Sequence, residues 1–168
     1  MRRFVRATWS AVALALVLIG CSVAVMPAAR TQPFKVVGYV TPAANIAAID
    51  FSLLTHINYS FLIPRANGTT RPFGAPNHLR AVVAQAKKHD VKVLIAVGGW
   101  GWDKEFETLA ADPAIREKLA KRVAEFCATY RLDGVDIDWE YPNAGASAAH
   151  FAALAIAFRS ALPAGALV

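Results

Sequence analysis

The stretch Asp133-Gly134-Val135-Asp136-Ile137-Asp138-Trp139-Glu140-Tyr141-Pro142 sets four acids within eight residues of an otherwise apolar-rich chain. On a β-strand successive side chains alternate faces, so Asp136, Asp138 and Glu140 share one face while Val135, Ile137 and Trp139 share the other. The three carboxylates then form a row with roughly 7 Å between neighbouring Cα atoms. Like charges at that range repel, so at neutral pH one member of the row holds a proton. Stretches with helical periodicity flank the segment on both sides. A strand between two crossover helices has no wet face: one side meets helices and the other meets the interior of a sheet or barrel. The bland reading of the acids is the solvated face of an edge strand. A Mg²⁺ or Ca²⁺ site is a second rival, but it needs further oxygen ligands in a set geometry that the sequence does not supply. No metal or cofactor is expected.

The rest of the chain supports an α/β reading. Phe34 to Val40 is a compact apolar run ended by Thr41-Pro42, a buried first strand, with a helical turn around Ala47 to Leu54 after it. Thr55 to Phe61 alternates and is rich in β-formers, a second strand, in which His56 reads as a hydrogen-bonded strand-end residue. Pro64 to Pro76, with Asn67-Gly68, is a loop with room for a small hairpin. Asn77 caps a following helix whose Leu79, Val82, Val83 and Ala86 form one apolar face. Val91 to Val97 is a third strand closed by Gly98-Gly99. Trp100-Gly101-Trp102 then reads as a loop whose aromatics either stack on sugar rings or pack.

Asp112-Pro113 starts a long helix with Ile115, Leu119, Val123, Phe126, Cys127 and Tyr130 on its buried stripe. The acidic strand follows, and Ser147 begins a last helix that turns Phe151, Leu154, Ala155, Phe158 and Leu162 inward. The order β, β, α, β, α, β, α fits crossover units of a parallel sheet. A barrel suits it better than an open sheet, because inward acids at C-terminal strand ends are where such barrels keep their chemistry.

Composition separates the ends of the chain. The 168 residues are 56% hydrophobic and 18% charged, which suits one globular domain and excludes disorder. Arg2, Arg3 and Arg6 precede an apolar run from Ala11 to Ile19, a secretory pattern too short for a membrane span. Leu18-Ile19-Gly20-Cys21 resembles a bacterial lipobox, so residues 1–20 are expected to be a lipoprotein-type signal and Cys21 the lipidated first residue of a 21–33 tether. Membrane attachment through Cys21 and an extracytoplasmic location follow as expectations. Ordinary cleavage after Ser22-Val23-Ala24 is the alternative and would release a secreted protein. Removing residues 1–20 leaves 15 basic residues against 12 acidic ones, a formal +3 in place of +6. With no dense basic stripe, nucleic-acid binding is not expected. Cys127 reads as a buried inert thiol.

The acidic run resembles the D-x-x-D-x-D-x-E signature of glycoside hydrolase family 18, the chitinase family. Ala96-Val97-Gly98-Gly99-Trp100 resembles that family's S-x-G-G motif on the third strand, and Thr55 to Phe61 its second strand. The resemblance covers about residues 35 to 162 and implies a parallel (β/α)8 TIM barrel, with residues 34–168 as its N-terminal half. It further implies retaining, substrate-assisted hydrolysis of β-1,4-linked N-acetylglucosamine polymers such as chitin, an exception to the two-carboxylate scheme. Glu140 would be the proton donor, its pKa raised by its neighbours and by burial. Asp138 would hold the acetamido N–H, and Asp136 behind it would share charge and protons with Asp138. Tyr39, Phe61, Gly98, Gly99, Trp100 and Tyr141 would line the sugar site.

Two departures from the family pattern stand out. Ala96 replaces the usual Ser, so Asp136 lacks a donor there unless water fills the gap. A (β/α)8 barrel takes about 250 residues, whereas this chain reaches only its fourth unit, with Leu167-Val168 as a possible start to strand five. This polypeptide by itself is therefore expected to be inactive. A non-catalytic, lectin-like protein that binds N-acetylglucosamine polymers is the alternative, and an intact Glu140 argues against it.

Overall fold

A computed structural model of the chain describes residues 34–168. The expected signal, the lipidated Cys21 and the 21–33 tether lie outside the described residues. Four strands, β1 (Val37–Val40), β2 (His56–Leu62), β3 (Lys92–Gly98) and β4 (Gly134–Asp138), form one sheet in the order β1-β2-β3-β4. Every pairing is parallel, as the crossover order requires. Between β1 and β2 the chain makes two 3-10 turns, Ile46–Ala48 and Phe51–Leu53, capped by the side chains of Asn45 and Asp50. The loop after β2 pairs Pro64 with Thr70 antiparallel around the Asn67-Gly68 turn, the small hairpin expected there.

Four α-helices cover the outer face of the sheet: α1 (Pro76–Lys87), α2 (Asp103–Ala111), α3 (Pro113–Tyr130) and α4 (Ala146–Ala161). Leu79, Val82, Val83 and Ala86 of α1 are all buried, as their spacing predicts. They meet Ile57, Tyr59, Val93, Ile95, Val97 and Val135 from the strands, together with Phe106, Leu119, Val123, Leu154 and Phe158, in one core. Each such side chain contributes about 1.5–3 kcal/mol when fully buried. The opposite face of the sheet carries Tyr39, Asn58, Ser60, Ala96, Asp136 and Asp138, which share it by alternation and register.

Three local expectations are corrected. Pro76, with its fixed φ, occupies the first turn of α1, so the helix starts before Asn77, and Ala75 stands at the cap without a side-chain bond. The stretch between Trp102 and Asp112, to which the sequence reading assigns no element, is α2, whose Phe106, Leu109 and Ala110 are buried. Asp112 joins α2 to α3 in a single residue, ending one helix and capping the next through bonds from the Ala114 and Ile115 amides at 2.8 and 3.1 Å. Ser147 lies inside α4, which Gly145 opens, and its hydroxyl is used elsewhere.

At the far edge of the sheet, Leu167 bridges Gly134 in parallel, with the Val135 amide donating to the Leu167 carbonyl at 3.0 Å. The approach is so close that a Cβ on Gly134 would stand 2.1 Å from the Leu167 carbonyl oxygen. Leu167 thus bridges the free edge of β4 without forming a strand of its own.

Candidate active site

The acidic run divides by depth. Asp133, the first acid, is at the N-terminal end of β4, where it accepts from the Val93 amide at 2.8 Å and pairs with Lys92 at 3.1 Å. It fixes β3 against β4 and stands apart from the other three. Asp136 and Asp138 occupy β4 itself, register partners of Ala96 and Gly98 on β3. Glu140 lies two residues past the strand end, and the Glu140–Tyr141 peptide is cis, as is Ser60–Phe61. Glu140 still acts on Asp138 across the strand end, as one of the neighbours that raise its proton affinity.

The Tyr39 hydroxyl donates to Asp136 Oδ2 at 2.7 Å, bringing β1 to β4 across the inner face. Asn58 on β2 is the register partner of this tyrosine and shares its face of the sheet. Desolvation, then the bond to Asp136, pushes the Tyr39 hydroxyl up to about 12, so it stays a donor at any working pH. The carboxyl whose affinity for protons rises most plainly is Asp138, raised to about 6. Desolvation is the first cause, followed by the hydrogen bond to Glu140 and the charges of Glu140 and Asp136. Raised proton affinity is thus found in the middle of the row, at Asp138. The reason is position: Asp138 is flanked by both other acids.

The two glycines at the end of β3, Gly98 in the strand and Gly99 just after it, shape the wall of this centre. Gly98, at φ 118°, passes so close to β4 that a Cβ would stand 2.3 Å from the Asp138 carbonyl oxygen and 2.6 Å from the Phe106 ring. Gly99 donates its amide to that same carbonyl at 2.8 Å and lies over the half-buried Phe61 ring. Trp100 is 76% exposed and meets the exposed Tyr141 edge to face, with ring centroids 6.1 Å apart. Trp102 takes the packing role instead, half-buried at the start of α2 with the Arg71 guanidinium 4.3 Å from its ring centroid. Trp139 turns away from the acids and stacks on Phe106, centroids 5.2 Å apart and rings nearly parallel.

Residues beyond the sequence motifs also hold the centre. Glu107 on α2 accepts from the Ser147 hydroxyl at 2.7 and 2.8 Å and from Asn143 Nδ2 at 3.1 Å, tying down the loop that follows Tyr141. Asn58 and Ser60 were legible only as alternate residues of β2, since nothing in the sequence fixes the register that sets them beside Tyr39 and Ala96. Cys127 is buried as expected, its thiol pushed up to about 12 by burial and donating to the Gly134 carbonyl at 3.4 Å.

Comparison with known proteins places this geometry. The sequence profile described as glycosyl hydrolases family 18 matches residues 35–166. Chitinase ChiA of Flavobacterium johnsoniae is 35% identical over 142 residues, a match covering 66% of this chain and 9% of that protein. A chitinase of Bacteroides thetaiotaomicron superposes with a TM-score of 0.71 at 31% identity, over 79% of this chain and 44% of the other. A Cycas revoluta family 18 chitinase solved with (GlcNAc)3 gives a TM-score of 0.67 at 25% identity, over 74% and 40%. The chain thus spans less than half the length of these relatives, and its four strands correspond to the first four β/α units of a (β/α)8 barrel. With the acidic signature on β4, the double glycine after β3 and the profile match across nearly all described residues, the chain belongs to family 18 of the glycosyl hydrolases.

Proposed function

We propose that Asp136, Asp138 and Glu140 form the acid–base centre of an enzyme that hydrolyses chitin or related β-1,4-linked N-acetylglucosamine polymers. The observation that carries the reading is the acidic row on the inner face of β4, with Asp136 held by the Tyr39 hydroxyl at 2.7 Å and Asp138 raised to about 6 by desolvation and by its neighbours Glu140 and Asp136. A proton held between these carboxyls near neutral pH is the reagent that glycosidic cleavage needs. Glu140 gives it to the glycosidic oxygen as the C1–O bond breaks, and the substrate's own acetamido oxygen bonds to C1. Asp138, left ionised, accepts the acetamido N–H and balances the positive oxazolinium ion. Water then opens that ring and returns a proton to Glu140. Tyr39 holds Asp136 behind the pair through the 2.7 Å bond. The names of the relatives and the (GlcNAc)3 bound by the Cycas protein support the choice of sugar.

A second reading rests on the exposed Trp100–Tyr141 pair, an apolar surface at the mouth of the centre that suits a sugar ring. It predicts retention on chitin without turnover. For the location, we infer an extracytoplasmic lipoprotein anchored at Cys21, on the strength of the basic start, the apolar run and the lipobox-like Leu18 to Cys21. One acyl chain holds a protein only weakly, so stable anchoring takes more than one.

The assay joins residues 34–168 to the remaining strands of the Bacteroides chitinase and follows release from a fluorogenic chitobioside. We expect turnover in the joined protein, loss of it on Glu140→Gln, and none from the 168-residue polypeptide alone. A folded but inactive joined protein would sink the hydrolytic reading. Turnover by the polypeptide alone, removed by Glu140→Gln, would show that four strands suffice.

A further inference from the structure

The crossover topology sorts charge between the two ends of the sheet. In each β/α unit the helix runs back against its strand, so the C-terminal ends of α1, α3 and α4 gather where the strands begin. Lys87 and Lys88 close α1, Arg131 follows α3, Arg159 lies in the last turn of α4, and Lys35 and Lys92 stand at the entries to β1 and β3. All six residues are exposed. A recess of about 450 Å³ at this end brings Lys35 and Lys92 together with His56, His89, Asp90 and Asp133. Arg159 reaches the same end by donating to the Ala166 carbonyl, beside the bridge between Leu167 and Gly134.

The acids at this end are fewer: Asp90 and Asp133 in the recess, and Asp50 near His89. Six cations against three acids give it a formal +3. Elsewhere in residues 34–168 eight basic residues stand against nine acidic ones, a formal −1. The positive excess of the described residues therefore lies wholly at the amino end of the sheet. Lys92 alone of the six cations is in an ion pair, with Asp133 at 3.1 Å. Next to Lys35, Phe34 adds a large apolar side chain that is 86% exposed. Cations around an exposed aromatic ring fit the surface of an anionic bilayer, where the ring enters the headgroup layer and the cations meet lipid phosphates.

We propose that the amino end of the sheet docks on an anionic lipid bilayer and holds the acidic row away from the membrane. The proposal rests on the reading of Cys21 as a lipid anchor, and it supplies the second signal that one acyl chain needs. Residues 21–33 reach at most about 45 Å and join the described residues at Phe34, so an anchor at Cys21 keeps this end within reach of the lipid. Asp138 lies about 15 Å from Asp133, at the far end of β4, with Glu140 beyond it. The exposed Trp100 and Tyr141 are at that far end too, open to a polymer arriving from solvent.

The test is acetylation footprinting of the full chain with vesicles, the rate at each lysine being read by mass spectrometry. With phosphatidylglycerol and phosphatidylcholine in equal parts, we expect Lys35, Lys87 and Lys88 to react several-fold more slowly than with phosphatidylcholine alone. Lys104 on α2 and Lys121 on α3 should keep their rates. About 1 M NaCl, which shortens the Debye length to about 3 Å, should remove the difference. Each lysine near an anionic surface contributes about fivefold in affinity, so Lys87→Gln with Lys88→Gln should weaken docking about 25-fold and free Lys35 to react. The same charge change made by Lys104→Gln with Lys121→Gln should leave Lys35 protected. Equal slowing at all five lysines, no slowing at any, or slowing confined to Lys104 and Lys121 overturns the proposal, and so does equal protection on neutral vesicles. Should a variant fail to fold, the footprint of the unaltered chain decides. Incorporation of labelled palmitate, abolished by Cys21→Ser, tests the anchor separately: no label with the footprint in place refutes the lipoprotein reading and leaves the docking face standing.

Discussion

On the outer face of β4, Val135 and Trp139 are buried, and Trp139 stacks on Phe106 in a layer built with Phe151 and Phe158. On the inner face, one residue away at each step, Asp136 and Asp138 are only half-buried, Asp136 is hydrogen-bonded by Tyr39, and Asp138 has its proton affinity raised by Glu140 and Asp136. A single strand thus carries packing and acid chemistry back to back, separated by the alternation of its side chains. The difference teaches where each kind of damage should appear. Substitutions on the outer face should unfold the protein, and substitutions on the inner face should change proton handling while leaving the fold in place.

The largest expected effect is on the outer face. Trp139→Ala opens a cavity against Phe106 and should cost about 3–5 kcal/mol, read as a lower urea midpoint with an unchanged slope. Near-normal stability in that variant would break the division between the faces. A smaller loss tests the link between them. Glu107→Ala removes the acceptor for Ser147 and Asn143 and leaves the hydroxyl of the buried Ser147 without its partner. We expect a loss of about 1–3 kcal/mol in the same denaturation experiment. Faster amide exchange should be confined to the loop after Tyr141, and exchange that rises evenly across the sheet would refute a local tether.

What the sequence made legible follows the same split. Alternation alone put Asp136 and Asp138 on one face and Trp139 on the other, because a period of two survives any choice of sheet register. The apolar stripes of α1 and α3 were equally plain, since Leu79, Val82, Val83 and Ala86 repeat at helical spacing. α2 was hidden: it has nine residues, no side-chain cap at Trp102, and runs into α3 through Asp112 with no loop to mark its end. The partner of Asp136 depends on register, and no local signal sets β1 at the level where the Tyr39 hydroxyl reaches it. The placement of the raised proton affinity at Asp138 needed three-dimensional neighbours for the same reason.

The smallest effect has the opposite sign and sharpens the comparison most. Asp138 is raised to about 6 in the folded chain, above its ordinary carboxyl range, so the folded state binds its proton more tightly than the unfolded chain does. Its contribution to stability is fully present below the unfolded value and is lost as pH rises through about 6. At pH 7 the ionised Asp138 therefore works against folding. The rise to about 6 sets a ceiling of about 3 kcal/mol, which solvent screening at this partly open site reduces to about 1 kcal/mol. Asp138→Asn keeps the shape, can still donate to Glu140 and cannot ionise. Urea denaturation should find it about 1 kcal/mol more stable than the unaltered chain at pH 7 and equal to it near pH 3. A variant that is less stable at pH 7 would mean that Asp138 contributes to the fold as Trp139 does, and the two faces of β4 would no longer differ in kind.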